Sequence, residues 1–263
     1  MKTFKHWVKK SVEIQIDGSK KEISVVAGSD SSEQDAADQA HAKAKRIEGY
    51  IKKRSKPSYQ PLLMEHVERT IDSKNVVTVC RYGAKVLNTT QYTILDLDDY
   101  PLSLLDYFKP IRKLEKKERI VTKFLENLEK TNDLGSDFRI YETAKGVRVI
   151  ARRYLDPQSP SYNQIMRRFK VDPVYVRLTK KQECYRARLT PKPIRIKMKG
   201  FKLSNPLDIN TSTYKNWLSE YERKSDTYSV VRFIQSIGKD FSSEEIIKFH
   251  DDACNISRSR RLA

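Results

Sequence analysis

Asp96 and Asp98 stand two positions apart at the end of an apolar run, in YTILDLDD (residues 92–99). On an extended strand alternate side chains share a face, so this pair can grip one or two divalent cations, Mg2+ or Mn2+. Phosphoryl and nucleotidyl transfer use such cations to neutralise phosphates and to activate the attacking oxygen. A plainer reading stands beside it. Asp98 or Asp99 could cap a helix that starts near Pro101, since Asp ahead of a Pro at the first helical position is a common start. If the first pair holds a cation, Asp99 points away from it and is the better cap.

Two basic segments offer the complementary charge. YETAKGVRVIARR (141–153) reads as a hairpin with Lys145 and Gly146 in its turn, Arg148 on the returning strand, and Arg152 and Arg153 at its end. A glycine turn lets a backbone approach a phosphate, and neighbouring Lys and Arg supply charge. LTKKQECYRARLTPKP (178–193) places Arg186 and Arg188 on one strand face, with Arg195 following. Alternating arginines suit bidentate phosphate contacts; the bland alternative is a solvated sheet face laced with cations. The formal net charge is +18, and residues 139–199 carry 17 Lys and Arg against four acids, an excess of 13 in under a quarter of the chain. Ordinary solvated faces mix signs, so a one-sign stretch implies a polyanionic partner: nucleic acid first, DNA or RNA, and nucleotides second.

The bases alternate with strand-like apolar residues, unlike the basic amphipathic helix of a membrane-surface protein. No run reaches the apolar length of a membrane span, and MKTFKHWVKK lacks the apolar middle of a signal peptide. Three scattered cysteines without CxxC spacing argue against a disulfide framework or a zinc site and for a reducing, cytoplasmic setting.

The elements that must position these residues are legible in outline. SVEIQIDGSKKEISVV (11–26) alternates toward a turn at Asp17-Gly18 and back, a hairpin. A helix follows over about 31–54, with Asp30 as N-cap, Glu33 completing a capping box, and Ala36, Ala40, Ala44, Ile47 and Ile51 as its apolar stripe. RSKPSYQP (54–61) reads as a linker. A short helix near 62–70 leads to three strands, NVVTVCRY, AKVLN and QYTILDLD, then to a helix over about 110–129. After the second hairpin come a helix near 162–169, two strand candidates, PVYVRLT (173–179) and ECYRARLT, and a helical tail that includes TYSVVRFIQSIG (227–238). The expected class is α+β with a mainly antiparallel sheet and flanking helices. The expected division is a β-β-α module over 1–56, a core over 62–200, and a helical segment over 201–263 packed on it.

An apolar strand ending in DLD, a hairpin with a glycine turn, and an arginine-rich strand running into proline, in that order, resemble the archaeo-eukaryotic primase (primase-polymerase) family over about residues 75–200. The resemblance implies that Asp96 and Asp98 hold the metal, with a third acid from a later strand, for which Glu183 is a candidate. It also implies that a hairpin histidine contacts the incoming nucleotide; here Arg148 stands in that place.

Other signals point less far. DLDDYP is similar to the opening of haloacid-dehalogenase phosphatases but lacks the Thr that follows there. FHDDACN (249–255) has too few histidine partners for a phosphohydrolase and reads as helix-end polarity. Cys184, among Lys181, Arg186 and Arg188, has no histidine near in sequence to make it a nucleophile. Tyr141, Tyr154, Tyr162, Tyr175 and Tyr185 could stack bases but fit a core better. Three functions remain: a Mg2+- or Mn2+-dependent nucleotidyltransferase of primase-polymerase type, a non-catalytic nucleic-acid-binding protein on the same scaffold, and a metal-dependent nuclease.

Overall fold

A computed structural model describes residues 4–16, 18–53, 65–102, 104–203, 205–256 and 260–263. The N-terminal hairpin forms from β1 (His6–Ile16) and β2 (Ser19–Ser29), paired antiparallel along their whole length. Gly18 sits at φ +79°, a left-handed turn conformation that glycine adopts without a Cβ penalty; Asp17 lies outside the described residues. Ile14 and Val25 turn onto α1 (Glu33–Lys52), where Ala40 and Ala44 are fully buried, so this β-β-α unit has an apolar core of its own. Small alanines let the helix lie close on the two strands. The N-cap is Ser32, whose hydroxyl accepts from the Asp35 amide, and not Asp30. The stripe ends before Ile51, which is exposed. The linker expected at 54–61 lies outside the described residues.

The rest is built on two four-stranded antiparallel sheets. One runs in the order β3 (His66–Thr70), β4 (Asn75–Val79), β5 (Lys85–Thr89), β9 (Tyr185–Arg188). The other runs β11 (Val231–Ile237), β7 (Phe138–Thr143), β8 (Val147–Ala151), β6 (Thr93–Leu97). A single core joins them: Leu87 and Tyr185 of the first sheet share it with Ile94, Ile140 and Val149 of the second. Phe124 from α2 (Lys116–Leu128) and Met166 from α3 (Tyr162–Arg168) close it. Full burial of each such side chain is worth about 1.5–3 kcal/mol, and the two sheets are held in one relation by it. The class is α+β with mainly antiparallel sheets, as expected.

Four expectations change. Residues 66–70 are strand β3, paired with β4, and not helix; 62–64 lie outside the described residues. PVYVRLT is not a strand but the start of α4 (Pro173–Gln182). There the Asp172 carboxylate accepts from the Val174 and Tyr175 amides, and Pro173 takes the first turn, so the cap outweighs the β-branched residues. The helix expected over 110–129 is a 3₁₀ turn (Pro110–Lys113) and then α2, which opens with a capping box between Glu115 and Glu118. Finally, TYSVVRFIQSIG is extended. It supplies β10 (Tyr228–Ser229), paired in parallel with β12 (Arg261–Leu262), and β11, which completes the second sheet beside β7. The C-terminal segment is thus part of the sheet as well as a cover of two helices, α5 (Ser212–Ser225) and α6 (Glu245–Ala253). Val, Ile and Phe in that run fit a pleated edge better than a helix.

Candidate functional site

The two sheets approach each other between β6 and β9 and leave a cleft of about 850 Å³. Its second-sheet wall is set by cross-strand register. Asp96 of β6 lies directly opposite Arg148 of β8, and Asp98 follows on the same face, so both carboxylates line the cleft, as the two-residue spacing implies. Asp99 is exposed and does not line it. Its carboxylate accepts from the Tyr100 amide, and the next helical turn, a 3₁₀ segment, begins only at Leu104, so it caps no helix after Pro101.

Gly146 fixes where these acids sit. A Cβ there would lie 2.1 Å from the Leu97 carbonyl oxygen and 2.9 Å from the Asp98 Cα. The group that approaches the glycine turn is therefore the end of β6. Within the turn the Thr143 hydroxyl accepts from the amides of Lys145 and Gly146, and Lys145 projects into the cleft.

The first-sheet wall comes from β9, where Tyr185 and Ala187 face the core and Arg186 and Arg188 face the cleft. The Tyr175 hydroxyl clamps this strand to α4: it donates to the Arg186 carbonyl and accepts from the Arg186 amide. Arg186 is committed within the protein, its Nη2 bonding both oxygens of Glu65 at 2.8 and 2.6 Å. Arg188, Lys192 and Arg195 have no carboxylate partner among the described residues. In all, nine cations line the cleft (Arg81, Lys145, Arg148, Lys181, Arg186, Arg188, Lys192, Arg195 and Lys202) against three acids, Glu65, Asp96 and Asp98.

The electrostatics show this crowding. Burial, and then the positive charges of Arg188, Arg195 and Lys145, hold the Lys192 ammonium below its ordinary range. Burial and Arg188 depress Arg195 in the same way. A cluster of cations that suppress one another is relieved by an anion. Asp96 shows the opposite imbalance: burial raises its carboxyl, Arg148 and Arg188 pull it down, and Asp98 pushes it up again. Neither Asp96 nor Asp98 has a hydrogen bond or ion pair from its carboxylate among the described residues. Nor do the described residues hold any group of three His, Cys, Asp or Glu placed to ligate a metal. Glu183 does not line the cleft; it ends α4 in the left-handed conformation, at φ +56°.

The remaining sequence candidates divide. Arg152 and Arg153 do not reach the cleft, because they leave β8 at the end opposite the glycine turn. Arg152 bonds Glu244 at 2.8 Å and Arg153 the Asn132 carbonyl at 3.2 Å. Cys184 is a buried thiol pushed up to about 11 by desolvation against the opposing pull of Arg186, which suits an inert side chain. Tyr141, Tyr162 and Tyr185 are core residues. The polar run FHDDACN is not helix-end polarity: His250 and Asp251 are buried, and His250 meets both Asp251 and Arg148, as described below. Its only sequence signal was a His-Asp pair on the apolar side of a helix.

Fold and site together define an α+β protein with a cationic cleft between two antiparallel sheets and, inside it, two carboxylates unpaired among the described residues. No protein-family model matches the chain, and no curated protein or solved structure matches it either. No helix among the described residues is long and apolar enough to cross a membrane.

Proposed function

We propose that the cleft binds the phosphates of nucleic acid and of nucleotides, and that Asp96 and Asp98 make it a metal-dependent nucleotidyltransferase of the primase-polymerase type. The observation that carries the reading is the charge pattern: nine cations line the cleft around two carboxylates that make no hydrogen bond or ion pair among the described residues. A cleft for a cationic ligand would not carry the arginines, and one for a simple anion would not carry the acids. A polyphosphate bridged to a divalent cation uses both. Mg2+ is commonly held by one or two carboxylates with substrate phosphate oxygens and water completing the shell, so the Asp96–Asp98 pair fits it without a third acid. When bound, such a cation would neutralise charge on the phosphates and activate the attacking oxygen.

The chain's own residues would divide the work by position. Arg188, Lys192 and Arg195 would hold the phosphate backbone along the first-sheet wall. Arg148, opposite Asp96, would hold the phosphate nearest the cation, in the place the family resemblance gives to a histidine. The Glu65–Arg186 pair would shape the wall rather than bind. Non-catalytic binding on the same scaffold is favoured by one observation: among the described residues no third acid is placed with Asp96 and Asp98 to ligate a metal.

The test is incubation with end-labelled oligonucleotides, mixed nucleotides and Mg2+ or Mn2+. Extension that Asp96→Asn abolishes supports the transferase, while cleavage reassigns the acids to a nuclease. Retention without chemistry leaves a binding protein, and failure to retain any oligonucleotide at low salt overturns the reading.

A further inference from the structure

Beneath the cleft floor a chain of buried polar groups runs from Arg148 on β8 across the same face of the second sheet to Tyr141 and Arg139 on β7. Arg148 is 6% exposed. Its Nη1 donates to the Arg188 carbonyl at 3.0 Å and meets Nε2 of the fully buried His250, also at 3.0 Å; the Cys254 sulfur at 4.0 Å is a weak third acceptor. A guanidinium can only donate, so Nε2 of His250 is an acceptor and its proton sits on Nδ1. Nδ1 lies 2.8 Å from Asp251 Oδ1, which also accepts from the Tyr141 hydroxyl at 2.9 Å. Arg139 closes the set, donating through Nη2 to Asp251 Oδ2 at 2.8 Å and through Nε to the Tyr141 oxygen at 2.8 Å. One proton assignment satisfies every contact along the chain.

The consequence for Arg148 is directional. Both protons of Nη1 are used by His250 and the Arg188 carbonyl, which leaves the side-on pair, Nε–H and Nη2–H, without a partner among the described residues. Those two donors form the fork that matches two oxygens of a phosphate. We propose that His250 is a positioning residue: as a neutral Nδ1–H imidazole held by Asp251, it locks Arg148 Nη1 so that the Nε/Nη2 fork faces the cleft as a preformed receptor for one phosphate group. A sequence-distant histidine thus sets the geometry of the arginine that stands in the hairpin. The inference rests on the phosphate-binding reading of the cleft and deepens it by naming the group that takes the phosphate and the residue that aims it.

The experiment uses the full chain with inorganic triphosphate as the probe, in titration calorimetry at low salt, on wild type, Arg148→Ala, His250→Leu, His250→Gln and the double variant Arg148→Ala/His250→Leu. Leu keeps the volume of the imidazole but offers no acceptor, whereas Gln returns a carbonyl oxygen toward Arg148. Loss of a charge-assisted fork weakens binding about tenfold to a hundredfold, and His250→Leu should lose as much as Arg148→Ala. The double variant should match Arg148→Ala within about twofold, because the histidine acts only through the arginine. His250→Gln should recover most of the affinity. Wild-type affinity in His250→Leu, or a double variant much weaker than Arg148→Ala, overturns the inference while the phosphate reading stands. If wild type itself does not bind triphosphate, the phosphate reading falls and the inference with it. Should His250→Leu fail to fold, nitrogen-15 shifts of His250 in the wild-type protein decide: a proton on Nε2 overturns the assignment, and a proton on Nδ1 with restored binding in His250→Gln supports it.

Discussion

Salt titration of nucleic-acid binding tests the cleft quantitatively. Nine cations and three acids line it, an excess of six positive charges. If a single strand occupies the cleft and meets that excess, log K should fall with log salt with a slope of about −4, from roughly 0.7 released counterions per phosphate contact. Between about 50 and 200 mM salt the affinity should then drop about 300-fold. Fluorescence anisotropy of a labelled oligonucleotide in EDTA measures this directly. The chain's charge of +18 could give a steep slope from anywhere on the surface, so the deciding variant is Lys192→Glu/Arg195→Glu. It lowers the cleft excess from six to two, and the slope should fall to about −1.4. The fold should tolerate it, since both side chains are half-exposed and held down by like charges around them. A wild-type slope flatter than about −1, or an unchanged slope in the reversed variant, would refute the assignment of the charge to this cleft.

Three further outcomes follow from the geometry. Gly146→Ala puts a Cβ 2.1 Å from the Leu97 carbonyl oxygen, so it should cost about 1–3 kcal/mol in chemical denaturation and weaken Mn2+ binding as Asp98 is displaced. Asp96→Asn should remove Mn2+ binding measured by calorimetry and should not lower stability at neutral pH. The sign follows from the raised carboxyl of Asp96: in wild type the folded protein favours the protonated form, so stability is greatest below the ordinary aspartate range and is lost as pH rises through the folded pKa. The asparagine variant lacks that loss, and its advantage in melting temperature should grow from acidic to neutral pH. Asp99→Ala should change stability by less than about 0.5 kcal/mol and leave Mn2+ binding intact, since Asp99 is exposed and caps no helix; a loss near 1 kcal/mol would restore the capping role.

What was legible in the sequence was what short-range rules specify. Alternation over 93–97 placed Asp96 and Asp98 on one face, the glycine turn fixed the β7–β8 hairpin, and the spacing of Arg186 and Arg188 turned both toward the cleft while Tyr185 and Ala187 went to the core. Charge counted along 139–199 located the basic wall. Where a local signal was present but outvoted, the reading failed: the Asp172-Pro173 cap outweighed the valines of PVYVRLT, and residues 231–237 became a strand because β7 offered an unpaired edge. Only the tertiary structure decided which bases share the cleft. Arg152 and Arg153 follow Arg148 within five positions yet leave the strand at its other end, whereas His250, 102 positions away, touches it. Periodicity and turn chemistry act over a few residues, and they determine which way a side chain points. Which groups it meets depends on how the two sheets and α6 pack, and that is set by burial summed over the whole core.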